Sequence, residues 1–82
     1  MKINNRQTRE DQKMTNTKKL NEIIKHSGFK KKYLAEQIGR TPYGLALKID
    51  GTNEFTAQEI KKLCEILSIT DPNEIMDIFL NN

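Results

Sequence analysis

The sequence predicts an all-α fold, a compact bundle of five short helices, on two kinds of observation. Apolar residues recur at i, i+3 and i+4 in successive windows, which places them on one face of a helix each time. Between the windows stand residues that start or stop helices. Thr41-Pro42, Thr56 with Glu59, and Asp71-Pro72 are starts; Gly28, Gly39 and Gly51 are stops. With 82 residues there is room for one domain and one core, near the lower size for independent stability. The domain is expected over residues 14–82, behind a polar, flexible N-terminal arm over residues 1–13. Met14 opens a stretch sufficient for a complete domain.

The first helix is expected near Thr17 to Ser27. Leu20, Ile23, Ile24 and Ser27 form its inner stripe, Gly28 ends it, and Phe29 anchors the connection. His26 falls in the last turn, where a cation suits the helix dipole, and reads as a surface residue. The second helix carries Leu34, Ala35 and Ile38 inward and stops at Gly39. Its start is costly: Lys30 is no N-cap, and Lys30, Lys31 and Lys32 set three cations at the positive end of the dipole. A bound anion reverses that cost, because orphan N–H groups and ammoniums together hold phosphate. The alternative is a solvated lysine cluster.

The third helix is expected from Pro42 to Asp50. Thr41 is its N-cap and Pro42 its N1 residue; Leu45 and Ile49 point inward and Gly51 closes it in a left-handed conformation. Two helices joined by a few residues containing glycine form a helix-turn-helix. The fourth helix has the clearest start. Thr56-Ala57-Gln58-Glu59 is a capping box, flanked by a Phe55–Ile60 staple, and Ile60, Leu63, Cys64 and Leu67 supply the inner stripe, widened by Ile66 and Ile69. Asp71, Pro72 and Glu74 start the fifth helix as N-cap, N1 proline and N3 acid. Ile75, Met76, Ile78, Phe79 and Leu80 make it apolar on more than one face. That calls either for deep burial or for a second copy of the chain.

Composition narrows the function classes. A single cysteine and a single histidine exclude an intrachain disulfide and leave no metal site to expect; Cys64 reads as a packed core thiol. No window is apolar enough to span a membrane and no signal peptide stands at the N-terminus, so the expected location is the cytoplasm. There is no glycine-rich phosphate loop and no Cys/His/Asp arrangement, so the chain reads as a binding module and not an enzyme, with no cofactor and no small-molecule ligand expected. Charge is distributed unevenly. Residues 1–13 carry four Lys/Arg against two acids, residues 14–53 eight against three, and residues 54–82 two against six, within a net charge of +3. A basic front and an acidic end suit one face meeting a polyanion.

The order Leu34-Ala35, Ile38-Gly39, Leu45, Lys48-Ile49 and Gly51 resembles the helix-turn-helix of phage repressor and Cro-like (XRE-type) DNA-binding proteins. With the flanking helices the resemblance spans roughly Thr17 to Leu80, and it implies the five-helix bundle of the lambda-repressor-like type. In that family the residue at Ala35 is small so that the next helix crosses closely, and the turn glycine, here Gly39, takes a positive φ. Lys30 departs from the family, which commonly has Ser or Thr there.

The resemblance implies a sequence-specific transcription regulator of phage or mobile-element type that binds operator DNA, a double-stranded DNA, as a homodimer. The third helix is then the reader. Tyr43, Gly44, Ala46, Leu47 and Lys48 are expected on its outer face, with Arg40, Thr41 and Pro42 at its start. Ala46 and Leu47 suit the methyl group of thymine, the apolar feature of the major groove. Lys30, Lys31 and Lys32 are expected on phosphates. Ile75, Met76, Phe79 and Leu80 are expected at the dimer contact. An apolar outer face and an acidic end also fit a second class, a protein–protein module on the same fold such as an antirepressor or inhibitor.

Overall fold

The computed structural model describes residues 15–80, in five helices: α1 (Thr17–Ser27), α2 (Lys31–Gln37), α3 (Pro42–Ile49), α4 (Ala57–Leu67) and α5 (Pro72–Phe79). The arm expected over residues 1–13 lies outside the described residues. Each helix from α3 onward begins on the chemistry expected of it. Thr56 and Glu59 close both hydrogen bonds of the capping box, Asp71 accepts from the Asn73 N–H, and Gly28 and Gly51 are left-handed at φ 82° and 88°. The start of α1 adds a cap of its own: the Asn16 side chain accepts from the Lys19 N–H.

The core draws on every helix. Leu20, Ile24, Leu34, Ala35, Leu45, Ile49, Leu63, Ile78 and Phe79 are buried, joined by Cys64 and Ile69. α1 is the shared wall, packing against α3, α4 and α5. Its first turn is tied to two other helix ends. The Thr17 hydroxyl donates to the Ile49 carbonyl at 2.7 Å, and the Asn16 N–H donates to the Ile78 carbonyl at 2.6 Å. These bonds satisfy carbonyls that a helix terminus leaves without an internal partner. Lys19 adds a surface ion pair with Asp77 at 2.8 Å, which raises the lysine pKa through that hydrogen bond. His26 is exposed, and burial pushes the Cys64 thiol upward.

One apolar expectation is corrected. Phe79 is not available for a dimer contact: it is only 2% exposed and meets Phe55 edge-on, with ring centroids 5.3 Å apart. The amphipathic register of α5 turns it inward with Ile78, leaving Ile75 half-buried and Met76 and Leu80 exposed. Phe29, in the α1–α2 connection, is partly exposed. It stacks on Tyr33 at the surface, centroids 5.3 Å apart and planes at 17°.

Candidate nucleic-acid interface

The turn between α2 and α3 sets the geometry. Gly39 sits at φ 75°, its N–H donates to the Glu36 carbonyl at 3.1 Å, and the Arg40 N–H reaches back to the Ala35 carbonyl at 2.8 Å. This pair of bonds is a Schellman motif, which ends a helix and redirects the chain in one step. Ala35 is fully buried, and α2 packs more closely on α3 than on any other helix. Thr41 then opens α3: its hydroxyl accepts from the Gly44 N–H at 3.0 Å, with Pro42 following at N1. That bond uses an acceptor lone pair of Thr41 and leaves its O–H free to donate.

The outer surface of α3 is partly as expected. Arg40, Thr41, Pro42, Tyr43 and Ala46 are exposed, Tyr43 most of all, while Gly44 and Leu47 are half-buried. A Cβ on Gly44 would stand 3.2 Å from the Thr41 hydroxyl oxygen. The glycine therefore makes room for its own N-cap, a tighter neighbour than any contact with α2. Lys30, Lys31 and Lys32 are all exposed at the start of α2, and Lys30 makes no side-chain cap.

Lys48 is the correction at this surface. Its side chain runs inward, only 8% of the residue is exposed, and its ammonium donates to Glu59 Oε1 at 2.7 Å and to the Glu54 carbonyl at 3.0 Å. The Phe55 ring lies under it, 6.0 Å from Nζ to the centroid. Lys48 stands beside Ile49 and three residues after Leu45, close to the packed side of the helix, so its stem follows the core and its charge must find a buried partner.

That partner, Glu59, does more than close the capping box. It is 5% exposed and accepts from three groups: Lys48 Nζ, the Thr56 N–H at 2.9 Å, and Arg40 Nε at 2.6 Å on its other oxygen. Burial opposes its ionisation, but hydrogen bonds from Lys48, from the Thr56 backbone and from Arg40 outweigh that and bring its pKa from 4.5 to about 2. The available signal in the sequence is the capping box itself, which turns the N3 carboxylate back towards the loop that follows α3. Arg40 remains about half exposed beyond this contact, in a cleft shared with Gln37, Gln58 and Lys62.

Among the described residues no group of three or more His, Cys, Asp or Glu is placed to hold a metal ion, and no helix is long and apolar enough to cross a membrane. The arrangement offers hydrogen-bond donors, cations and an exposed aromatic on a short helix held across a tight turn. A family model, the Cro/C1-type helix-turn-helix DNA-binding domain, matches residues 19–79, from α1 to the end of α5. No curated protein and no solved structure matches the chain. On the family match, together with the helix pair and its Schellman turn, the chain belongs to the Cro/C1-type helix-turn-helix DNA-binding domain family.

Proposed function

We propose that the protein is a transcription regulator that binds operator DNA sequence-specifically as a homodimer, with α3 in the major groove. The observation that carries this reading is the exposed start of α3, where Thr41, Tyr43 and Ala46 stand clear of the core beside a turn closed by two backbone hydrogen bonds. In this class the N-terminal part of the second helix meets base edges first. The hydroxyls of Thr41 and Tyr43 supply hydrogen bonds, and Ala46 packs on a thymine methyl. Lys30, Lys31 and Lys32 supply phosphate contacts, which explains an uncapped, cation-loaded helix start that local stability disfavours. Met76 and Leu80, exposed on α5 beside half-buried Ile75, supply the contact with a second copy.

Binding to duplex DNA from the protein's own promoter region, titrated against salt, tests the reading. Lys31→Ala with Lys32→Ala should weaken every duplex alike. The slope of log affinity against log salt should shrink by about 0.9 for each phosphate that no longer meets a cation. An unchanged slope would remove these lysines from the interface. One observation favours a second reading, a protein-binding module: Tyr43 is 73% exposed on a face with few polar side chains. Salt-insensitive, negligible binding of wild-type protein to all duplexes would support that reading instead.

A further inference from the structure

α3 has eight residues, too few to hold a helix or an orientation by itself, and only Leu45 and Ile49 on it are buried apolar anchors. Two anchors on one stripe seat a helix on the core but restrain its roll weakly. The Glu59 carboxylate supplies what they lack. One oxygen takes Arg40 Nε, just before the N-cap of α3, and the other takes Lys48 Nζ, in the last turn of α3. Lys48 also grips the Glu54 carbonyl, so the loop leaving α3 is drawn into the same cluster. The carboxylate is itself held by the Thr56 N–H at the start of α4. A single buried group on α4 therefore ties both ends of α3.

We infer that Glu59 is the positioning residue of the DNA-reading helix: it sets the roll of α3 through Lys48 and Arg40 without touching DNA. The inference rests on the DNA-binding reading above and deepens it. A buried ion pair contributes little net stability over an apolar replacement. The role inferred for it here is to select one roll of α3, because a different roll would strand the Lys48 or Glu59 charge. Arg40 takes part in the same selection. Glu59 binds the Arg40 Nε while about half of the arginine side chain stays exposed, so the terminal nitrogens are left to meet the DNA backbone from a fixed guanidinium. The inner lysine thus acts on recognition from the side of α3 turned away from the groove.

The test compares wild-type protein with the Lys48→Met/Glu59→Gln double variant. This pair removes one charge of each sign, retains an acceptor for the Thr56 N–H, and strands no buried ion. Both proteins are passed over a library of randomised duplexes, and affinities are then measured for the enriched duplex and for an unselected one. Circular dichroism and urea titration establish the folded fraction of each. The expected result is a folded variant whose affinity for the enriched duplex falls about tenfold or more beyond any change on the unselected duplex, on the scale of losing one well-made base contact. Arg40→Ala, which leaves Lys48 and Glu59 paired, should lower the salt slope and lose less discrimination than the double variant. Equal fold-changes on both duplexes, matching the loss of folded protein, would overturn the inference, as would an unchanged ratio. Wild-type protein that enriches no duplex would instead overturn the DNA-binding reading, an outcome separate from failure of the variant comparison.

Discussion

At Lys48 the chain places a largely buried ammonium under α3, where it meets Glu59 and the Glu54 carbonyl. Removing one member leaves the other charged and buried. Glu59→Gln alone should therefore cost about 3 kcal/mol of unfolding free energy, while Lys48→Met/Glu59→Gln should cost distinctly less. Urea titration of the two variants checks this, and a single variant within about 1 kcal/mol of wild type would show the pair to be dispensable. The same carboxylate predicts a pH dependence. Its folded pKa, about 2, lies below its ordinary 4.5, so its contribution is present above that ordinary value and is lost as pH falls through the window between the two. At most about 3 kcal/mol is involved. The stability gap between wild type and Glu59→Gln should close as pH falls from about 5 to about 2; a gap independent of pH would assign the loss to packing.

The α2–turn–α3 unit rests on one backbone conformation. Gly39 holds φ 75° and nothing lies within 4 Å of where its Cβ would stand, so substitution meets strain and no clash. Gly39→Ala should then destabilise by about 1 kcal/mol, with Gly39→Asn losing less because Asn tolerates the left-handed region. A neutral Gly39→Ala would mean that the turn reopens at no cost. On α5 the decisive property is register. Phe79→Glu would put a carboxylate among Phe55 and the core, and the expected outcome is an unfolded or molten chain with collapsed helical circular dichroism. A folded, stable Phe79→Glu protein would show that α5 lifts from the core.

For the whole molecule, the homodimer proposed above uses, in that proposal, what α5 leaves outside. Met76→Glu together with Leu80→Glu changes two exposed side chains and should give a folded monomer with weaker duplex binding. Sedimentation with circular dichroism checks both halves of that expectation; wild-type protein that sediments as a monomer at micromolar concentration with DNA present would sink it. The five helices are legible in the sequence because their signals are local. The Thr56–Glu59 box, the Thr41-Pro42 and Asp71-Pro72 starts and the left-handed glycines act within a few residues, whatever surrounds them. The family is legible for the same reason, since Ala35, Gly39, Leu45 and Ile49 stand at fixed spacing within one helix pair. Sidedness is not. Lys48 has the pattern of a surface cation because charge in a helix usually faces water, and only the arrival of Glu59 from α4, eleven residues on, makes its burial tolerable. Phe79 and Met76 could exchange roles on paper, as α5 is apolar on more than one face. Packing against Phe55 and the core chooses between them. Local hydrogen bonds and periodicity determine which residues form helices and where an unambiguous apolar stripe faces. For a cation at the edge of a stripe, or a helix apolar on more than one face, the inner side is decided by the charges and volumes that distant elements bring to it.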